Sequence, residues 1–355
     1  MPDPTPPANP RTLRTPADLI AAGLAPESAL GALAAVGARY AVAVPPALAV
    51  LIEAPGDPLA RQFVPDPAEL ETAPGERADP IGDDALSPIP GIVHRYPDRV
   101  LLKPTLLCPV YCRFCFRREH VGPHGGLLAE ADLAAALAWI AARPAIREVI
   151  LTGGDPLFLS ARRLGRILRA LDAMAHLETL RIHTRVPIAT PGRVAAPLLG
   201  ALATAKPLWL VVHANHAREL AAPQRQALAL LARAGVPLLG QSVLLRGVND
   251  TAPALEALFR AMLACRVKPY YLHHLDPAPG TARFHVPVAE GRALLAALRG
   301  RLGGHGLPTY VVDIPGGFGK VPVGPDFFLP PAGVRDREGR VHGLGGPLAA
   351  APGAG

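Results

Sequence analysis

Cysteine is scarce in this 355-residue chain: there are four, and three of them, Cys108, Cys112 and Cys115, fall within eight residues. That distribution excludes a disulfide framework and leaves a metal site as the leading use of the triad. The fourth, Cys265, sits among apolar residues and reads as a core residue. Only 18% of residues are charged while half are apolar, which excludes disorder over most of the length. No run is long and apolar enough to cross a membrane; the best, Ala29 to Ile52, is broken by Arg39 and the Pro45-Pro46 pair. The first residues lack the apolar stretch of a signal peptide, so a cytoplasmic protein without a membrane partner is expected.

What there is in abundance is proline and glycine, 42 and 35 residues, concentrated in the ends and loops. The formal charge of +7 comes from arginines spread through segments such as Ser160 to Leu171. Solvated helix faces explain such a spread better than a nucleic-acid surface, which needs clustered cations.

Residues 1–10 and 347–355 are Pro- or Gly-rich and expected to be disordered. A helical amino-terminal extension and connector follows over 11–90, opened by the cap signal Thr15-Pro16, with a second helix from about Pro26 to Gly37. Between Asp57 and Pro90 the sequence is rich in Pro and Asp without apolar periodicity, and reads as an irregular connector. From 91 to 305, apolar runs alternate with helical patterns. The runs are Val100–Leu106, Glu148–Thr152, Leu180–His183, Leu208–His213, Pro237–Leu245 and Lys268–His273. Leu127–Ala142, Ala161–Ala175, Arg218–Ala234, Ala252–Ala264 and Pro287–Leu302 read as helices. Six strand-helix units predict an α/β fold with a parallel sheet, as a partial or full barrel or an open sheet. Ligands then belong at the carboxyl ends of the strands. A carboxyl-terminal segment, 306–346, contains one more strand, Thr309–Ile314.

The cysteines follow the first of these strands as Cys108-Pro-Val-Tyr-Cys112-Arg-Phe-Cys115. Three thiolates can hold three corners of a four-iron cluster and leave the fourth iron open. With an aromatic residue, Phe114, before the last cysteine, the pattern is a strong signal for the radical S-adenosylmethionine (SAM) superfamily. The alternative is a structural zinc site with His120 as fourth ligand, in a non-enzymatic interaction module. After the second strand comes Gly153-Gly154-Asp155, where glycines permit close backbone approach and the carboxylate can meet an ammonium. His213 and Arg185 end or follow two further strands and face the same rim. Gly316-Gly317-Phe318-Gly319 leads to Lys320, which could form a Schiff base with pyridoxal phosphate (PLP) or sit in a surface turn. Arg95, Tyr96 and Arg99 make a reasonable phosphate cradle or an ion-paired turn with Asp98.

In combination these motifs closely resemble lysine 2,3-aminomutase and its relatives, including the branch that makes β-lysine for elongation factor P. The likeness runs through Asp57-Pro-Leu-Ala-Arg-Gln, Arg95-Tyr-Pro-Asp-Arg99, the triad with Phe116-Arg117-Arg118, Leu151-Thr-Gly-Gly-Asp155, Gln241 to Asp250, Tyr270 to Asp276 and Pro315 to Lys320. It covers most of residues 57–325.

The resemblance implies a partial (βα)6 TIM-like radical SAM barrel with a helical amino-terminal extension and a carboxyl-terminal segment that delivers Lys320 to its mouth. It implies a 4Fe–4S cluster on the triad, SAM near Gly153, Gly154, Asp155, Arg185, His213 and Gln241, and PLP on Lys320 with its phosphate on Arg95, Tyr96 and Arg99. Arg117 would take the substrate carboxylate. Asp276 and Asp313 would take its side-chain ammonium, which selects a diamine acid because a buried cation needs counter-charge. The implied reaction moves the amino group of L-lysine from carbon 2 to carbon 3, after an external flavodoxin- or ferredoxin-type donor reduces the cluster. Phe318 interrupts the glycine run of some members, and the zinc cysteines of longer relatives are missing. Assembly therefore stays open, a homo-oligomer included. The rivals are a radical SAM enzyme on another amino acid or on RNA, and the zinc module.

Overall fold

A computed structural model of the chain describes residues 11–122, 125–329, 333–336 and 339–343. The ends expected to be disordered, 1–10 and 347–355, lie outside the described residues. Seven strands run parallel in chain order: β2 (Arg99–Thr105), β3 (Glu148–Gly153), β4 (Thr179–Thr184), β5 (Leu208–His213), β6 (Leu238–Val243), β7 (Val267–His273) and β8 (Thr309–Asp313). Two short antiparallel strands flank them, β1 (Ile92–Tyr96) against β2 and β9 (Lys320–Pro322) against β8. Order in space equals order in sequence, so every crossover advances one strand in one direction, as right-handed units do. Thr309–Asp313 thus joins the same sheet, a point that periodicity leaves open.

The sheet curls because its faces differ. Leu180, Ile182, Leu210, Val212 and Leu272 are fully buried under the outer helices. The intervening residues Glu148, Arg181, His183, Trp209, Gln241 and His273 line an internal cavity. The apolar runs are therefore alternating strands, with a polar inner face. Helix Ala161–Asp172 shows the complementary pattern. Ser160 caps it through the Arg163 N–H, and Leu164, Ile167, Leu168 and Leu171 are fully buried, each contributing roughly 1.5–3 kcal/mol. Arg162, Arg166 and Arg169 face solvent.

One local expectation needs correction. The connector after Asp57 is not irregular from its start: Pro58–Phe63 is a helix, with the Asp57 carboxylate accepting from the N–H groups of Leu59 and Ala60 at 2.9 and 2.7 Å. Its one turn and a half is too short to register as periodicity. Val186–Ala189 and Ala196–Ala201 bridge β4 to β5 as short helices. Among the described residues no helix is long and apolar enough to cross a membrane.

Candidate active site

The curled sheet encloses a cavity of about 1020 Å³ to which all nine strands contribute. Small-molecule sites span about 300–1000 Å³, so there is room for more than one ligand.

Cys108, Cys112 and Cys115 leave the end of β2 and line this cavity, each partly exposed to it. Burial pushes all three thiols up, Cys115 to about 11, with repulsion from Asp155 adding at Cys108 and from Cys112 at Cys115. Three such groups become thiolates together only when a cation is bound among them. His120, the fourth ligand of the zinc reading, lines a second cavity with Asp79 and Lys103. Among the described residues no three His, Cys, Asp or Glu side chains converge as a single ion requires. Three cysteines in one cavity with His120 in another fit a cluster that keeps one corner open better than structural zinc, which takes four protein ligands.

A buried ion network fixes the loop. Arg113 donates to both oxygens of Glu69 at 2.9 and 3.0 Å, Arg118 binds the same carboxylate, and all three side chains are inaccessible to solvent. Arg185 donates to Cys112 Sγ at 3.0 Å while Glu219 and Gln62 hold its other nitrogen at 2.6 and 2.9 Å. Expected beside SAM, Arg185 here contacts a cluster cysteine.

Gly153 and Gly154 line the cavity, yet their close approach is to β2 and to the start of the cysteine loop. A Cβ at Gly154 would stand 2.3 Å from Leu107 O, and Gly153 has φ +104. Asp155 differs from expectation. Its oxygens accept from Thr184 Oγ1 at 2.8 Å and from the N–H groups of Leu157, Arg185 and Val186 at 3.0, 2.6 and 2.9 Å. Burial pushes it up to about 6, and it ties the end of β3 to that of β4. His213 and Gln241 face the cavity from β5 and β6, His213 with Nε2 3.1 Å from Asn215 Oδ1.

Lys320 lies opposite, on β9, with its N–H donating to the Tyr96 hydroxyl at 2.8 Å. Its Nζ pairs with Asp313 and stands 3.2 Å from His273 Nδ1. The surface-turn reading fails for Lys320. Phe318, the interruption of the glycine run, is 79% exposed and points away from the site. Arg95 lies 3.6 Å from Asp313 and 3.3 Å from Asp83, and the Arg99 guanidinium stacks on Tyr96 at 4.0 Å. Arg117 pairs with Asp83 at 2.7 Å. Burial would raise Asp313, but His273 and Lys320 outweigh it and hold the carboxyl well below its usual range. Asp276 behaves in the opposite sense. Burial, then repulsion from Asp313, pushes it up to about 7, and its carboxylate has no hydrogen bond or ion pair among the described residues.

Two members of this site escape sequence reasoning. Asp83, which joins Arg95 to Arg117, lies in the Pro-rich connector where no pattern marks it. His273 ends a strand, the signal that does single out His213.

Arg95 Nε, Arg181 Nε, Arg185 Nε, His183 Nε2 and His273 Nε2 are buried without a partner among the described residues, and all five side chains line the cavity. Buried polar atoms left unpaired cost about 1–3 kcal/mol each, and these five, of thirteen such atoms among the described residues, stand where a ligand in the cavity can supply partners. A curled parallel half-barrel with a cysteine triad at its strand ends defines a radical SAM enzyme, and a model of the Radical SAM superfamily matches residues 102–256. A lysine-2,3-aminomutase model matches 295–336. The chain is 41% identical over 278 residues to the L-lysine 2,3-aminomutase of Acetoanaerobium sticklandii, covering 78% of this chain and 67% of that one. It is 39% identical over 303 residues to that of Clostridium subterminale (84% and 73%) and 40% identical over 272 to that of Escherichia coli (76% and 78%). The chain belongs to the lysine 2,3-aminomutase family and is an isomerase; the family uses a 4Fe–4S cluster, SAM and PLP.

Proposed function

We propose that the chain converts L-lysine into β-lysine, by moving the amino group from carbon 2 to carbon 3. The observation that carries this reading is Asp276, a carboxylate without a hydrogen-bond or ion-pair partner among the described residues that faces the cavity beside Asp313. Asp313 already holds a primary ammonium, that of Lys320. A diamine acid brings a second ammonium of the same kind, and it would satisfy Asp276.

The cysteine triad would hold the cluster, with SAM bordered by Gly153, Gly154, Arg185, His213 and Gln241. Asp155 would orient that rim through the backbone of Arg185 and Val186. Arg95, Tyr96 and Arg99 would receive the PLP phosphate, Lys320 its aldehyde, and Arg117 the substrate carboxylate. When bound, SAM supplies the radical and PLP the π-system that carries nitrogen between carbons. The protein positions the lysine backbone at one end by Arg117 and its side chain at the other by the two carboxylates. A flavodoxin- or ferredoxin-type donor in the cytoplasm would reduce the cluster.

The test is anaerobic reconstitution with iron, sulfide, PLP, SAM, reductant and L-lysine, with products read by mass spectrometry. Wild type is expected to form β-lysine, and Lys320→Ala none. L-Ornithine, one methylene shorter, is expected to react about 10–200-fold more slowly. SAM cleavage with ornithine or arginine preferred over lysine would overturn the substrate assignment and keep the radical chemistry.

A further inference from the structure

The ion pair between Lys320 and Asp313 poses a chemical problem. An ammonium has no lone pair, so Lys320 cannot attack an aldehyde until it loses a proton, and Asp313 stabilises the charged form. The group placed to take that proton is His273. Its Nδ1 stands 3.2 Å from Lys320 Nζ, within hydrogen-bonding reach. With Nδ1 accepting from an ammonium, the ring hydrogen must sit on Nε2, which is buried, unpartnered among the described residues and part of the cavity wall. The same ring lies 3.8 Å from Asp313, so an imidazolium formed there has its counter-ion in place.

We propose that His273 is the proton acceptor that releases Lys320 from Asp313 for attachment to PLP. This rests on the assignment of Lys320 as the cofactor lysine. Nζ of the ammonium gives one proton to His273 Nδ1, and the ion pair of Asp313 passes from Lys320 to His273. The freed lone pair bonds to the aldehyde carbon, and the carbon–oxygen bond breaks. The two hydrogens left on Nζ depart with the aldehyde oxygen as water. No oxidant or reductant takes part.

The surroundings of His273 suit the task. Burial, then the positive charge of Lys320, holds the imidazole below its usual value, so it is neutral and able to accept at physiological pH. Asp313 on β8 opposes that shift. His183 on β4 and His213 on β5, both held well below the usual value by burial, are neutral neighbours. Tyr271 on the same strand offers its ring edge-to-face at 5.6 Å.

The test follows PLP attachment in the full-length protein without cluster or SAM. Schiff-base absorbance gives the rate, and borohydride trapping with peptide mass analysis locates the site. His273→Gln keeps the size of the side chain but cannot take a proton. It is expected to slow attachment at least about tenfold near neutral pH. The deficit should close in the alkaline range, where Lys320 deprotonates unaided, and added imidazole should restore the rate of His273→Ala. Wild-type rates in the glutamine variant, or a deficit equal at every pH and untouched by imidazole, would overturn the proposal. Cofactor absent from Lys320 in the wild type would overturn the Lys320 assignment and this proposal with it.

Discussion

Glu69, carried by the amino-terminal extension, and Arg113, set between two cluster cysteines, form a fully buried bidentate ion pair. The extension therefore helps build the floor of the site. Arg118 and Arg283 converge on the same carboxylate. Removing one partner of such a network leaves charges buried and uncompensated, at about 3–5 kcal/mol. Glu69→Gln is expected to lower unfolding free energy by that amount in denaturant titrations and to reduce iron retained after reconstitution. Wild-type stability in the variant would remove the keystone role.

Asp276 has the opposite character, since it is destabilised by its own fold. In the unfolded chain its pKa returns to about 3.9. The proton it keeps up to about pH 7 in the fold makes its contribution to stability complete below the unfolded value and lost as pH rises through about 7. Asp276→Asn is therefore expected to raise the melting temperature of the ligand-free protein in alkaline buffer and to leave it nearly unchanged near pH 4. Lysine affinity moves the other way, falling on the order of 100-fold in the variant. Wild-type affinity should itself weaken below about pH 7 as Asp276 takes up its proton. Calorimetry across pH reads both.

Asp83 orients two arginines assigned to different ligands, Arg95 and Arg117. With asparagine there, Arg117 loses its charged partner and Arg95 one of its partners, keeping Ile81 O at 2.7 Å. Steady-state kinetics of Asp83→Asn should show KM for lysine raised about tenfold with a smaller fall in kcat, the mark of lost positioning in the ground state. A fall in kcat alone would contradict it.

Arg185 places a permanent positive charge 3.0 Å from Cys112 Sγ. A cation beside a cluster sulfur favours the reduced, more negative state. Arg185→Met is expected to lower the cluster midpoint by on the order of 60 mV, equivalent to tenfold in a one-electron equilibrium. A titration monitored by electron paramagnetic resonance reads this directly, and an unchanged midpoint would reduce Arg185 to packing.

From Arg99 to His273 the fold is legible in the sequence, because buried strands and amphipathic helices leave their periods in the apolar residues. The triad and Lys320 are legible for a different reason: their chemistry is rare enough to stand out. Neither signal reaches Asp83, whose partners lie 12 and 34 residues away. Pairing across such separations is decided by the curl of the sheet, which no local spacing encodes. Glu69 is hidden in the same way, in a one-turn segment with no period. Asp155 is found for its charge and position, but its four internal donors come from a neighbouring strand and its own turn, and those contacts exist only once β3 and β4 lie side by side.

Lys320 opens a strand of three residues that is bonded to the sheet along one side only, through β8. Edges of this kind open at a small fraction of the free energy needed to unfold the whole domain. We expect the amide hydrogens of Lys320 and Val321 to exchange well ahead of those in β3 to β6, and to slow once a cofactor is attached. Equal protection along all strands would refute this. The enzyme would then keep its radical-generating half behind a rigid wall and its cofactor anchor on a hinge, so that loading and loss of PLP proceed without disturbing the iron site.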